Sequence, residues 1–294
     1  MDMAQGAAAG ARTLVLGIAN SGGTFGPGLI DDAAAALEVG MNVAAGLHQR
    51  LRDEPRLVAL AAEHGLELFD VRDPPHDLPV GTGRPRAGRR LLTVGTDCSV
   101  GKMYSSLALV SALRERGLTA DFRATGQTGI MIAGTGVPLD AVIADFISGA
   151  IEQLAPERHD GGWDVIEGQG SLSHPSFAGV STGLLHGAQP EAIILCHDPN
   201  REEMRGLSGR GLPDLAETLQ MNLAVARLTS PAVRAVGICL NTASQSAIEA
   251  QRLCGSTEDL LGLPCTDPVK FGVEAIIDEL TCNAHSKPST FATR

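Results

Sequence analysis

Residues 91–104 constrain this chain more than any other stretch. Leu91-Leu92-Thr93-Val94 is a short apolar run of the kind that forms a buried strand. Gly95-Thr96-Asp97-Cys98-Ser99-Val100-Gly101 is a loop bracketed by glycines, and Lys102 opens a segment with helical periodicity. Strand, glycine loop and helix in that order make a cradle for phosphate. Loop N–H groups and the helix N-terminus turn positive dipole towards an anion, and the glycines let the backbone approach it. Lys102 adds a point charge. The next two positions depart from the usual pattern. A Ser or Thr normally follows the lysine, and its hydroxyl holds the metal of a metal–nucleotide complex. Met103 and Tyr104 stand there instead. The loop is expected to hold phosphates without that hydroxyl, with Tyr104 filling the space a metal would take.

The rest of the chain alternates strands and helices. Strands are expected at 13–19, 42–45 and 66–71, helices at 31–38 and 57–64, and a Gly-rich loop at 20–27. This βαβαβ order predicts a small parallel sheet. Residues 73–90 are rich in Pro, Gly and Arg, the composition of a linker, which places a boundary near Arg86. The expected fold is α/β, with a small Rossmann-like parallel-sheet lobe plus linker over 1–86 and a larger P-loop NTPase-like parallel-sheet domain over 87–294. In the latter, strands are expected at 91–94, 119–125, 163–167, 192–197 and 235–240. Helices are expected at 102–116, 140–153 and 212–228, a loop at 126–129 and a frayed tail at 283–294.

Composition narrows the function classes. A net charge of −11 argues against nucleic acid and anionic membrane as partners, though not against a local basic pocket. Aromatic residues make up only 3 %, so aliphatic side chains must fill the core. The six cysteines contain no CxxC pair, so a zinc site is not expected and free intracellular thiols are. The first eleven residues lack the basic start and apolar core of a secretory leader, and no apolar run is long enough to span a membrane. A cytoplasmic homo-oligomer is therefore expected.

Ligands of open parallel sheets collect beyond the carboxyl ends of the strands. Five loops end strands there: 96–101, 126–129, 167–171, 197–199 and 241–243. Glu167 and Asp97 are the carboxylates nearest the phosphate loop. Glu167, straight after Trp163-Asp164-Val165-Ile166, is read as functional rather than as a loop cap. His174, His186 and His197 are candidate bases or loop hydrogen-bonders. Cys98 is read as a small loop residue rather than a nucleophile activated by the helix N-terminus. Arg123, Arg201 and Arg205 are candidates to grip carboxylates, against the usual reading of surface arginine.

Three segments together resemble the dethiobiotin synthetase branch of P-loop proteins: Gly95 to Lys102, the Glu167-Gly168-Gln169-Gly170 turn, and Gly237-Ile238-Cys239-Leu240-Asn241. Five residues separate the loop glycines, as in that branch, rather than the commoner four. A closer resemblance runs from about residue 14 to 280. It is carried by Gly46-Leu47-His48, Arg72-Asp73-Pro74-Pro75, Val94 to Met103, Ala124 to Ile132, Val165 to Leu172 and Leu184 to Pro190. These segments are similar to a family of P-loop proteins associated with D-glutamate N-acetyltransferase activity, in which Gly-Lys-Met is typical. The resemblance implies that acetyl-CoA is the co-substrate and a small amino acid the acceptor. It implies CoA phosphates on Gly95, Thr96, Asp97, Cys98, Ser99, Val100, Gly101, Lys102, Met103 and Tyr104, with the adenine near Asn241. Glu167 is the expected base, His174 the alternative, and Lys102 a third participant. Gln127, Thr128, Gln169, Ser171 and Arg123 are the expected acceptor contacts, and no metal is needed. The competing enzyme is an ATP- and magnesium-dependent ligase or kinase with Asp97 and Glu167 on the metal. A nucleotide-binding regulator without turnover is the third reading.

Overall fold

The computed structural model describes residues 2–18 and 23–282. The last residue of the first expected strand (19), part of the expected Gly-rich loop (20–22) and the expected frayed tail (283–294) lie outside the described residues. The chain forms two compact units, one of residues 1–76 with 126–141, the other of 77–125 with 142–294. The boundary expected near Arg86 therefore falls inside the second unit, and the division is not made by a single crossing.

The first unit begins with α1 (Met3–Ala8), β1 (Thr13–Leu16), α2 (Pro27–Glu38), β2 (Asn42–Ala45), α3 (Pro55–His64) and β3 (Leu68–Asp70). The three strands are parallel in the order β1-β2-β3, with Leu14 opposite Val43 and Ala44 opposite Phe69. Ala33, Ala34 and Ala36 of α2 are fully buried, so the helix backbone approaches the sheet closely. Leu16, Leu37, Val43, Leu47, Leu51 and Leu57 complete this core. Gly65 ends α3 in the left-handed conformation (φ 64°) that a side chain would strain.

The second unit opens with β4 (Arg89–Gly95), α4 (Lys102–Glu115) and β5 (Ala120–Arg123). The chain then enters the first unit as α5 (Gln127–Ala133). The loop expected at 126–129 is thus the start of a helix, and it belongs to the other unit. Gly46 closes against it: a Cβ at Gly46 would lie 2.8 Å from Gln127 Cγ. The helix expected over 140–153 is also corrected. Two 3-10 turns, Leu139–Ala141 and Ala144–Phe146, precede α6 (Ile147–Leu154), because Ile143 is extended (φ −59°, ψ 136°).

β6 (Trp163–Ile166), α7 (Ala178–Ala188), β7 (Ala192–His197), α8 (Leu215–Ala226), β8 (Arg234–Leu240), α9 (Ala247–Leu261), β9 (Cys265–Thr266) and α10 (Glu274–Cys282) follow. The helix expected from 212 starts later, where Asp214 caps it by accepting from Glu217 N–H. Six parallel strands run β5-β6-β4-β7-β8-β9. β4 is central and buried on both faces, which is why it reads as a continuous apolar run. On α4, Ser106, Leu109, Val110 and Leu113 are buried, one helical stripe three and four residues apart. The expected linker is a docked strap in its middle portion. Thr82 and Gly83 N–H donate to Glu152 of α6, and Arg86 Nη2 to the Gly187 carbonyl. Gly149 makes room for the strap, since a Cβ there would lie 1.9 Å from the Pro79 oxygen. Among the described residues no helix is long and apolar enough to cross a membrane.

Candidate functional site

Strand order reverses around β4: the chain passes to β5 on one side and later returns to β7 on the other. The loop leaving the carboxyl end of β4 therefore lies at the switch point where open sheets bind ligands. It is tightly wound. A Cβ on Gly95 would lie 2.8 Å from Val100 Cγ2 and 3.0 Å from Lys102 Nζ. Ser99 (φ 54°) and Gly101 (φ 100°) both take the left-handed conformation, which for Ser99 stores a modest strain. Lys102 is buried, and its Nζ donates to the carbonyls of Asp97 (2.7 Å) and Gly170 (2.9 Å). Burial pulls its pKa below the ordinary lysine value, against the opposing pull of Cys98, Cys196, Asp97 and Glu167.

Lys102 thereby ties the phosphate loop to the turn after β6. Glu167 is buried there, and its Oε2 accepts from Thr125 N–H at 2.9 Å. Thr125 Oγ1 returns a bond to the Glu167 carbonyl at 2.6 Å. Gly168 is pressed onto β4, so that its N–H reaches Thr93 Oγ1 at 3.0 Å. Ser171 Oγ donates to the Thr96 carbonyl (3.0 Å), and Gln169 Nε2 to Thr125 Oγ1 (3.2 Å). The N–H groups of Gln169, Gly170 and Ser171 have no acceptor among the described residues.

Asp97 is fully buried and organises the far side of the loop. One oxygen accepts from Cys98 N–H (2.7 Å), the other from Arg205 N–H (2.7 Å) and Arg201 Nη1 (2.9 Å). Arg201 also donates to the carbonyls of Cys98 and Ser99, and Arg205 to Ser99 Oγ. Both arginines thus brace the loop. His174 lies 4.0 Å from Asp97 and is buried. Its Nδ1 accepts from Ser176 N–H (3.2 Å), so its proton sits on Nε2 and is donated to the Arg205 carbonyl (3.1 Å). Both ring nitrogens are committed, the arrangement of a histidine that holds loops rather than one that moves protons. Cys98 is raised in pKa by burial, Lys102 notwithstanding, so the thiol form prevails.

The other expected residues divide. Asn241, at the end of β8, lies beside the loop, with its Cβ 3.7 Å from where a Gly101 Cβ would be. Its N–H donates to the His197 carbonyl at 2.8 Å. His197 shares a 3.0 Å hydrogen bond with Thr96 Oγ1, and burial lowers its pKa. Met103 and Tyr104 open α4, but Tyr104 is 62 % exposed and does not fill a metal's place. Arg123 departs furthest. Its Nε donates to the fully buried Asp164 at 2.8 Å, and Arg158 Nη1 meets the same oxygen at 2.9 Å. Its charge is spent inside the sheet. Gln127 and Thr128 belong to the first unit. Thr93 and Thr125, which hold the turn after β6, were not singled out from sequence. The signal in the sequence is a threonine inside the apolar run Leu91-Leu92-Thr93-Val94 and another two residues past the end of β5.

A family model described as "Domain of unknown function (DUF1611_C) P-loop domain" matches residues 79–277, and its companion "DUF1611_N Rossmann-like domain" matches 1–74. The chain belongs to the DUF1611 family. A DUF1611 family protein from Anabaena variabilis, solved by crystallography, is 37 % identical. It superposes with a TM-score of 0.89 over 96 % of this chain and 83 % of its own. Two curated relatives are each named D-glutamate N-acetyltransferase. The protein from a Pseudoalteromonas species is 50 % identical over 279 residues, 95 % of this chain and 84 % of its own length. The protein from Tritonibacter scottomollicae is 48 % identical over 280 residues, with the same coverage.

Proposed function

We propose that this chain is an N-acetyltransferase that moves the acetyl group of acetyl-CoA to the amine of D-glutamate, in the breakdown of D-amino acids. The observation that carries this reading is the pair of relatives named for that reaction, each half identical across nearly the whole chain. The local chemistry supports it. The phosphate loop ends in Gly101-Lys102-Met103, a cradle without the metal-holding hydroxyl. CoA brings phosphates that need cation and N–H donors but no metal poised for hydrolysis. Lys102 uses two of its three N–H donors on carbonyls, which leaves one for a phosphate oxygen. Asn241 stands beside the loop where the adenine would follow. The ATP and magnesium reading is not favoured, because both oxygens of Asp97 already accept from Arg201 and two backbone N–H groups.

The acceptor arrives as an ammonium and must lose a proton before its nitrogen can attack the thioester carbon. Glu167 is assigned that proton. It is the buried carboxylate at the end of β6, one peptide bond from the turn that Lys102 holds. His174 has no uncommitted ring nitrogen for the task. As the C–N bond forms, negative charge develops on the thioester oxygen. The N–H groups of Gln169, Gly170 and Ser171 supply the dipoles to receive it. Collapse breaks the C–S bond, the CoA thiolate leaves and takes up the second proton that the nitrogen sheds, and N-acetyl-D-glutamate is the product.

The test is acetyl transfer from acetyl-CoA to D-glutamate, followed as free thiol with product identified by mass, in the presence of EDTA. Glu167→Gln is expected to lose at least about a hundredfold in kcat while CoA binds with unchanged affinity. Full turnover in that variant removes Glu167 from the chemistry. Failure of the native chain to acetylate any amino acid refutes the reading as a whole.

A further inference from the structure

Two of the family-like phrases, Gly46-Leu47-His48 and Arg72-Asp73-Pro74-Pro75, belong to the first unit. Both leave carboxyl ends of strands in the first unit, the first after β2 and the second after β3. That edge is where a parallel sheet gathers ligands, and the structure assembles a compact set of charges on it. Arg72 is largely buried, with 13 % of its side chain exposed. Its Nη1 lies 3.1 Å from Asp140 Oδ2 and donates to His48 Nε2, which is itself 3.9 Å from Asp140. Asp140 comes from the excursion 126–141 that joins this unit. Arg50 and Arg52 close the outer side through Asp73 and Asp70.

The decisive detail is which edge of Arg72 is used. Both recorded contacts fall on Nη1. Its Nε is buried and has no hydrogen-bond partner among the described residues, and no partner for Nη2 is recorded there. The Nε–Nη2 side of a guanidinium is a planar fork that matches the two oxygens of a carboxylate. A buried donor without a partner is costly, so a fold that retains one commonly serves a ligand or water there. Asp140 on the other edge fixes the guanidinium, so the free fork is held ready for a carboxylate such as an amino acid carries. Gln127, expected to touch the acceptor, opens α5 in the same unit and packs on Gly46, two residues from His48.

We propose that the carboxyl edge of the first unit's sheet binds a carboxylate of the amino-acid acceptor, with Arg72 clasping it through Nε and Nη2 while Asp140 holds the guanidinium by Nη1. The inference rests on the acetyltransferase reading for the identity of the ligand, and its test separates the two. D-glutamate binding to the full chain is measured by calorimetry without acetyl-CoA, and KM is measured for each substrate. Arg72→Lys keeps the charge and removes the fork. It is expected to weaken D-glutamate binding, and to raise its KM, about tenfold or more while the KM for acetyl-CoA is unchanged. Equal changes in both KM values, or none, overturn the proposal and leave the acetyltransferase reading standing. Should the variant not fold, hydrogen exchange on the unaltered chain decides. Protection by D-glutamate over 46–50, 71–75 and 136–141 supports the site; protection confined to residues outside the first unit, or none, overturns it. Absence of acetyl transfer with D-glutamate still protecting these segments would refute the reaction but not the site.

Discussion

Gly168→Ala is the sharpest test of how the phosphate loop and the turn after β6 are coupled. A Cβ at Gly168 would lie 1.7 Å from the carbonyl oxygen of Thr93 and 2.9 Å from Lys102 Cδ. The Thr93 oxygen belongs to the central strand β4, paired on both sides, so it cannot yield. The turn itself must move by about 1.3 Å to reach even the shortest contact that real side chains show. Three hydrogen bonds depend on its position: Gly168 N–H to Thr93 Oγ1, Thr125 Oγ1 to the Glu167 carbonyl, and Lys102 Nζ to the Gly170 carbonyl. Losing two or three of these at about 1 kcal/mol each, with about 1–3 kcal/mol for overpacking, gives about 3–6 kcal/mol. For a unit of this size that lowers Tm by roughly 10 °C or more. A displacement of about 1 Å at the carboxylate beside the turn should also cost about a hundredfold in kcat. Thermal unfolding followed by circular dichroism reads the first quantity and the thiol assay the second. Gly255→Ala is the control. It lies within α9 with nothing near its would-be Cβ, so it should gain about 0.5–1 kcal/mol. A Gly168→Ala protein with native Tm and turnover would refute the claim that this contact is rigid.

Further outcomes follow from the charges. Arg123→Gln should lower stability by about 1–3 kcal/mol, because Asp164 is left with Arg158 as its near partner, while the acceptor KM stays unchanged. A raised KM with native Tm would restore Arg123 to the substrate. Cys98→Ser should keep turnover within about threefold, and Cys98 should alkylate more slowly than free cysteine at pH 8, since burial raises its pKa. CoA binding requires protonated Lys102, whose folded pKa lies below the ordinary value of 10.5. Affinity should therefore fall as pH rises through that lowered value, and Lys102→Arg should remove the fall. The sign for stability is opposite. Between the lowered and the ordinary value the unfolded chain binds more protons, so the unliganded protein gains stability across that window as pH rises.

The parts that sequence conveyed were those whose physics is local. Strand, glycine loop and lysine are contiguous, so residues 91–102 declared both an element and a ligand chemistry, and the alternation around them declared a parallel sheet. What depended on partners distant in the chain was not legible. Arg123 looked like any strand-end arginine until Asp164, on the neighbouring strand, was seen to take its charge. His174 offered an imidazole of ordinary promise, and only the positions of Ser176 and Arg205 showed both nitrogens in use. The helix expected over 140–153 had adequate propensity, but Asp140 is held in an ion pair with Arg72 and Ile143 is extended, so tertiary contacts overrode it. Glycine at 168 was read as part of a motif, whereas its necessity comes from a carbonyl 75 residues away.

The excursion of residues 126–141 has a consequence for biosynthesis. A ribosome that has delivered the first 76 residues has not yet delivered the whole of the first unit. Asp140, the ion-pair partner of Arg72, and Gln127, which closes on Gly46, arrive only after β4, α4 and β5 have emerged. The first unit cannot reach its final form ahead of the second's opening strands, and neither can be excised by a single cut. Gene fusion or truncation at residue 76 would separate a sheet from the segment that completes its carboxyl edge.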